Sequence, residues 1–172
     1  MPKLKDCYIE VSTNWLKNKN NNNNSIELQM YYEDCGKFYY VDNKKVVMDY
    51  SKNELEVANW LKNTFNEKVI ILPKVNWPEH IQTPDYIFKG EKWDLKEIKN
   101  AKSNYRAVDN VIKNNKKQSK NFVLDISKCK IDDKNIVNQV LRIFKKNNFE
   151  REWIRKIIIK RNNELLGVFV RK

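Results

Sequence analysis

Histidine is almost absent from this chain of 172 residues, which contains a single one, His80. Catalysis by a pair of histidines, a histidine-rich zinc site and an H-E-x-x-H metalloprotease motif are therefore excluded. His80 follows Glu79 in a polar stretch, so we expect it to be a surface residue.

Cysteine and long apolar runs are also scarce. Cys7, Cys35 and Cys129 are far apart in the chain, and their spacing fits neither a disulfide framework nor a C-x-x-C metal site. No apolar run approaches the roughly 20 residues that span a bilayer, and residues 1–6 are not followed by the apolar core of a secretion signal. We therefore expect a cytoplasmic protein with reduced cysteines and no membrane partner.

Positive charge is abundant and unevenly distributed. The chain has 34 basic and 22 acidic residues, which give a formal net charge of +12. Residues 1–99 contain 15 of each kind, whereas residues 100–172 contain 19 basic and 7 acidic residues. This imbalance indicates a polyanionic partner, because lysine and arginine neutralise phosphates and release their counterions. The alternative is a solvated lysine-rich surface that reflects coding bias.

The order of the local signals predicts an α+β fold with one central, mostly antiparallel sheet and helices packed against it. Residues 1–50 are expected to form an accessory segment with an asparagine-rich loop at 20–24 and a small β-meander. Residues 51–172 are expected to form the main domain. It begins with a capping box, since Ser51 is followed three residues later by Glu54 and then by an amphipathic pattern.

A β-hairpin is predicted for the charged segment 83–99. Both of its strands are rich in β-branched and aromatic residues. Gly90 and Glu91 between them fit a type II′ two-residue turn, which requires glycine at its first central position. This turn pairs Phe88 with Trp93.

The predicted register sorts the charges of this hairpin by face. Asp85 pairs with Lys96, and Asp94 lies on the same face because side chains alternate along a strand. Glu97 and Lys99 point to the other face and reach this cluster only near the strand end. A three-residue loop would scatter the cluster, so the arrangement depends on the turn.

Two carboxylates and a lysine on one face suit phosphodiester cleavage, which needs an activated nucleophile and stabilisation of the charge on the phosphate. The spacing of Pro84-Asp85 and Asp94-Leu95-Lys96 resembles the PD-(D/E)xK nucleases. That resemblance implies DNA cleavage with Mg²⁺ held by Asp85 and Asp94. Glu54 would be the additional acid on the preceding helix, although its capping role is an alternative explanation.

A second resemblance extends from about residue 41 to the C terminus. The residues that carry it are Leu72-Pro73, Thr83-Pro84-Asp85, Gly90, Trp93-Asp94-Leu95-Lys96, Gln118-Ser119 and residues 121–126. This pattern resembles the C-terminal tRNase toxin domains of contact-dependent growth inhibition (CdiA) proteins, which also occur at the ends of phage head-morphogenesis proteins. The N-terminal 40 residues do not fit that family.

The second resemblance implies a ribonuclease of the barnase/EndoU/colicin/RelE-like group, which cleaves RNA, tRNA in particular, without a metal cofactor. In that chemistry Lys96 or Lys99 would stabilise the phosphorane, and Asp85, Asp94 or Glu97 would accept the proton of the 2′-hydroxyl. A toxin of this kind implies an immunity or antitoxin protein, and an acidic one would suit the net charge.

A lysine-rich segment after residue 106 is expected to continue a helix and to contact the RNA. Its candidate nucleic-acid-binding residues are Lys113, Lys116, Lys117, Gln118, Ser119 and Lys120. Solvated helix charges would explain the lysines equally well. A third possibility is a non-catalytic nucleic-acid-binding or phage-assembly module in which Asp85 and Lys96 form only a cross-strand ion pair, typically contributing about 0 to 1 kcal/mol.

Overall fold

The computed structural model describes residues 7–18, 24–99 and 105–172. Apart from Asn24, the predicted asparagine-rich loop lies outside these ranges, as do residues 1–6. The helices of the described part are α1 (Ser12–Lys17), α2 (Lys52–Phe65), α3 (Ala107–Ile112), α4 (Asp133–Ile143) and a 3-10 turn at Phe149–Arg151. The strands of the described part are β1 (Tyr8–Glu10), β2 (Ile26–Leu28), β3 (Tyr31–Asp34), β4 (Lys37–Tyr40), β5 (Val46–Val47), β6 (Val69–Ile71), β7 (Lys74–Val75), β8 (Tyr86–Phe88), β9 (Glu91–Glu97), β10 (Asn121–Asp125), β11 (Lys156–Arg161) and β12 (Glu164–Arg171).

Eight of these strands form a mixed sheet in the order β1-β12-β11-β10-β9-β8-β6-β2. The pairs β10–β11 and β2–β6 are parallel, whereas β1–β12, β11–β12, β6–β8 and β8–β9 are antiparallel. The predicted α+β fold with a mostly antiparallel central sheet is therefore confirmed. The predicted N-terminal meander corresponds to β2 and the β3–β4 hairpin, but β5 pairs with β7 rather than with β4.

The chain divides into two compact units. Unit 1 comprises residues 1–14, 95–116 and 120–172, and unit 2 comprises residues 15–94 and 117–119. Strand β9 begins in unit 2 and ends in unit 1. The segments that the two resemblances highlighted are thus distributed over both units.

Unit 1 has an aliphatic core. The central parts of β10 and β11, residues 122–124 and 157–159, are fully buried, as expected for strands that are covered on both faces. Helix α4 packs Ile136 and Val140 into this core. Its predicted N-cap is confirmed, because the Asp132 carboxylate accepts a hydrogen bond from the backbone N–H of Asn135 at 2.9 Å.

Unit 2 has an aromatic core. Phe65 on α2, Phe88 on β8 and Trp93 on β9 are fully buried and pack around Trp15 with ring centroids 5.5 to 6.2 Å apart. The capping box that begins α2 is confirmed in both directions, since each partner's side chain accepts a hydrogen bond from the other's backbone N–H, at 3.0 and 3.3 Å.

Helix α3 is shorter than predicted. It ends at Ile112, and the lysines that follow lie in turns rather than on a helix face. The side-chain amide of Asn115 donates to the carbonyl of Val111 at 2.9 Å, and asparagine is known to compete with the helix for such backbone groups. No helix in the described part of the chain is long and apolar enough to span a membrane.

Candidate active site

The turn of the β8–β9 hairpin differs from the predicted one. Phe88 pairs with Glu91 and Tyr86 pairs with Trp93, so the two loop residues are Lys89 and Gly90. Their φ angles are 51° and 74°, and positive φ at both central positions defines a type I′ turn. The predicted type II′ turn at Gly90-Glu91 is therefore wrong, because Lys89 itself adopts the left-handed conformation.

The new turn shifts the register by two residues and preserves the two faces of the hairpin. Tyr86, Phe88 and Trp93 are fully buried on one face, as predicted. The predicted pairing of Phe88 with Trp93 and of Asp85 with Lys96 is wrong. Instead, the backbone N–H of Asp85 donates to the carbonyl of Trp93 at 3.1 Å.

Asp85 is fixed on both sides through its backbone. It immediately precedes β8, its N–H bonds to Trp93, and its carbonyl accepts a hydrogen bond from the N–H of Leu72 at 3.0 Å. These bonds place the Asp85 backbone between the end of β6 and the peptide that joins Trp93 to Asp94. The side chain is half-buried.

Glu54 on α2 is close enough to Asp85 to be affected by its charge. Burial and, next in size, the charge of Asp85 raise the pKa of Glu54 above its usual value. Lys74, whose Nζ lies 3.4 Å from Oε1 of Glu54, opposes this rise without cancelling it. The hydroxyl of Tyr86 donates to the backbone carbonyl of Glu54 at 2.6 Å and ties the first turn of α2 to β8.

Two roles therefore fall to Glu54. Glu54 closes the capping box, and within unit 2 it also lies close enough to Asp85 for the charge of Asp85 to raise its pKa; these two acids are called the carboxyl pair below. A protonated carboxyl group next to an ionised one is a common arrangement for acid–base work.

Asp94 and Lys96, two further predicted catalytic residues, lie on β9. Asp94 is fully buried, and Lys96 is half-buried two positions further on, on the same side of the strand because side chains alternate. At the strand end, Lys99 and Glu97 form an ion pair with Nζ and Oε2 3.2 Å apart. Asp85 and Asp94 belong to unit 2, and the other three predicted catalytic residues belong to unit 1.

Two predicted nucleic-acid-binding residues make hydrogen bonds to the hairpin region of unit 2. The side-chain amide of Gln118 donates to the carbonyl of Thr83 at 3.1 Å. The hydroxyl of Ser119, which is buried, donates to the carbonyl of Lys92 at 2.9 Å. The four predicted lysines are exposed: Lys113, Lys116, Lys117 and Lys120.

Within residues 7–18, 24–99 and 105–172, no group of three or more histidine, cysteine, aspartate or glutamate side chains is arranged to hold a metal ion. The carboxyl pair of Glu54 and Asp85 is smaller than such a group.

The fold is α+β, and the predicted residues Asp85, Asp94 and Lys96 lie just before β8 or on β9. Residues 82–165 match the family model of the contact-dependent growth inhibition CdiA C-terminal domain. The resemblance predicted from the sequence is thereby confirmed over these residues, and domains of that family are generally nuclease toxins. The matched segment contains Asp85 and Asp94 but not Glu54. No curated protein and no solved structure matches the chain.

Proposed function

We propose that the chain is a ribonuclease toxin that cleaves tRNA by acid–base chemistry without a metal ion. The observation that carries this proposal is the family match over residues 82–165; the raised pKa of Glu54 near Asp85 supports it. Burial and the charge of Asp85 give Glu54 a carboxyl group that retains its proton more readily than usual.

In the proposed reaction Asp85 accepts the proton of the 2′-hydroxyl and Glu54 donates a proton to the leaving oxygen. Lys96 stabilises the negative charge that develops on the phosphorane. Asp94, which is buried beside the Asp85 backbone, orients these side chains. Glu97 and Lys99 form an ion pair at the strand end, where they are candidates for assisting proton transfer or charge stabilisation.

The exposed lysines between α3 and β10 are proposed to follow the RNA backbone. Within this segment Gln118 donates to the carbonyl of Thr83, before β8, and Ser119 donates to the carbonyl of Lys92, near the β8–β9 turn. The toxin would act in the cytoplasm, where tRNA is found. Because the chain carries a net charge of +12, an acidic immunity or antitoxin protein is the proposed partner.

A second candidate function is favoured by the position of Glu54. The PD-(D/E)xK nucleases resembled by the hairpin motif use an additional acid from a preceding helix, and Glu54 on α2 is coupled to Asp85. In this alternative Asp85 and Asp94 would hold Mg²⁺, and Glu54 would be a nearby acid rather than a third ligand. The ion would activate water for cleavage of DNA.

One assay separates these functions: purified chain is incubated with tRNA or with duplex DNA, each with and without EDTA. We expect cleavage of tRNA that persists in EDTA, and a loss of about 10²- to 10⁴-fold in rate for Asp85→Asn, as is typical when a general base is removed. Asp49→Asn is the matched control, because Asp49 is an exposed aspartate of the same unit.

The assay also has contradictory outcomes. DNA cleavage that requires magnesium would support the PD-(D/E)xK alternative in place of the ribonuclease. If neither substrate is cut under any metal condition, the chain is a non-catalytic nucleic-acid-binding or phage-assembly module.

A further inference from the structure

A groove in unit 1 lies along the exposed side of α4 and has a volume of about 750 Å³, within the roughly 300 to 1,000 Å³ of ligand-binding pockets. None of its residues belongs to the candidate active site. Most of its lining residues are polar or basic, and those that bear on its chemistry are Tyr105, Lys134, Asn138, Arg142 and Lys145.

The helix itself aligns these side chains. Lys134, Asn138 and Arg142 are spaced four residues apart, so they form one stripe along α4. Ile136 and Val140, in contrast, are buried in the core. Lys145 follows the end of α4 and is exposed. The exposed stripe therefore offers two positive charges on the helix, a third beyond it and one side-chain amide.

An aromatic ring is held at the edge of this groove. Tyr105 is 69% exposed, and the guanidinium carbon of Arg142 lies 4.2 Å from its ring centroid. The same guanidinium donates to the backbone carbonyl of Tyr105 at 2.8 Å. One side of the ring is thus fixed by a cation while most of the residue remains open to solvent, which suits stacking with a nucleobase.

The acids near the groove are already engaged. Asp132 caps α4, and Asp133 accepts a hydrogen bond from Nε of Arg161 at 2.6 Å. Among the described residues, no acidic side chain forms an ion pair with Lys134 or Lys145. Asp132 is the single acid among the groove's lining residues and Lys134, Arg142 and Lys145 are the three basic ones, so the lining has a net positive charge, which complements phosphate.

We propose that this groove binds a single-stranded segment of RNA, with a base stacked on Tyr105 and phosphates next to Lys134, Arg142 and Lys145. Asn138 would contact a base edge. This combination of stacking surface, basic track and amide is typical of single-strand recognition. The inference rests on the proposed function, since it gives the ribonuclease a substrate-binding surface that shares no residue with the carboxyl pair.

The test is binding of a fluorescent 2′-O-methyl oligouridine of twelve nucleotides, measured by anisotropy at several salt concentrations. Tyr105→Ala is expected to weaken binding about tenfold, as for the loss of one stacked base. The double variant Lys134→Gln and Lys145→Gln is expected to reduce the slope of log K against log salt by about 1.4, because each single-strand phosphate contact contributes about 0.7.

Two matched variants serve as controls. Tyr105→Phe keeps the ring and should bind like the unchanged chain. The pair Lys44→Gln and Lys45→Gln removes the same charge from two exposed lysines outside the groove and should leave the salt slope nearly unchanged.

Three results would overturn the proposal. One is unchanged oligonucleotide affinity in both groove variants, and another is equal affinity for duplex RNA. The third concerns polyglutamate, used as a second probe. If the groove variants lost binding to polyglutamate but still bound the oligonucleotide, the groove would be a surface for an acidic protein. Because the probe lacks a free 2′-hydroxyl, its binding is read independently of cleavage, so the groove and the proposed ribonuclease activity can fail separately.

Discussion

The two units of the chain differ in how their charges are arranged. Unit 1 contains 22 basic and 10 acidic residues, whereas unit 2 contains 12 of each. The entire net charge of +12 therefore belongs to unit 1, which carries the α4 groove. Unit 2 is neutral and carries the carboxyl pair. Positive charge favours phosphate binding and crowded acids favour proton transfer, so under the proposed function unit 1 supplies the binding charge and unit 2 supplies the acids Asp85 and Glu54, while Lys96 belongs to unit 1.

The acids of the two units also respond differently to their surroundings. In unit 1, burial is the largest single influence on the pKa of Asp109, and burial raises that pKa. The hydrogen bonds and charges of Arg151 and Arg106 together outweigh burial, so the pKa of Asp109 is lowered. The pKa of Glu54 in unit 2 is raised by burial and by Asp85. Asp109 thus stabilises unit 1 as an anion, whereas ionised Glu54 is disfavoured in unit 2.

The largest stability effect is expected for Asp109→Asn. Nε of Arg151 lies 2.6 Å from Oδ1 of Asp109, and only 11% of the arginine side chain is exposed. Replacing the carboxylate weakens a buried charge pair, and we expect a loss of about 1 to 3 kcal/mol in the free energy of unfolding at neutral pH. Urea unfolding measures this loss.

The pH dependence of that loss has a definite sign. Because the folded pKa of Asp109 is depressed, its contribution is present above the unfolded pKa and disappears as the pH falls through the folded one. The unchanged chain and Asp109→Asn should therefore converge on acidification. Glu150→Gln is the control, since Glu150 is an exposed partner of the same arginine. A difference that stays constant with pH would contradict the electrostatic explanation.

A smaller effect is expected for Gly90→Ala in the turn of unit 2. Gly90 has a φ of 74°, and an L-residue in the left-handed region costs about 1 to 2 kcal/mol. The β3–β4 hairpin supplies a matched control, because Gly36 has a φ of 81° and also follows a residue with positive φ. A Cβ at either glycine meets no atom within 4 Å.

These two glycines test whether the chemistry depends on the β8–β9 turn. Both alanine variants should lose similar stability in urea unfolding. Only Gly90→Ala should also lower the rate of tRNA cleavage, since its turn sets the position of Asp85 beside Trp93. Equal cleavage by the two variants would show that the carboxyl pair tolerates a strained turn.

Local signals in the sequence predicted much of the fold. The capping box at Ser51 and the cap at Asp132 depend on residues three apart, so their patterns were readable directly. The β8–β9 turn could not be predicted in this way. A type II′ turn requires glycine at its first central position, which favoured a turn that begins at Gly90. Nothing in the sequence indicated that Lys89 adopts the left-handed conformation. The faces of the hairpin were still correct, since a shift of two residues keeps the alternation.

The candidate site was predictable only in part. Asp85 and Asp94 could be predicted as catalytic acids because they are only nine positions apart and lie on one predicted hairpin. Glu54 and Asp85, whose charges interact, are 31 positions apart in the sequence. Only the resemblance to the PD-(D/E)xK motif indicated that Glu54 belongs near Asp85. Tyr105 and Arg142 are 37 positions apart, and no local pattern connects them, so the groove was missed.

The smallest stability effect is expected for Glu54→Gln. Glutamine can also close a capping box, and the lost contact to Lys74 is partly exposed, so it contributes about 0 to 1 kcal/mol. Removal of the repulsion from Asp85 offsets this loss. We therefore expect a change within about 0.5 kcal/mol in urea unfolding at neutral pH, the usual range for substitutions without a strong structural role.

The sign of the pH dependence should be opposite to that of Asp109→Asn. Because the folded pKa of Glu54 is raised, the unchanged chain is stabilised relative to Glu54→Gln as the pH falls through that pKa. Cleavage of tRNA should nevertheless fall about 10²-fold at neutral pH, the lower end expected for removal of a general acid. Glu56→Gln, on the same helix and exposed, should change neither quantity. If Glu54→Gln lost stability while retaining full cleavage, Glu54 would be a helix cap alone, and the chemistry of unit 2 would belong to Asp85 and Asp94.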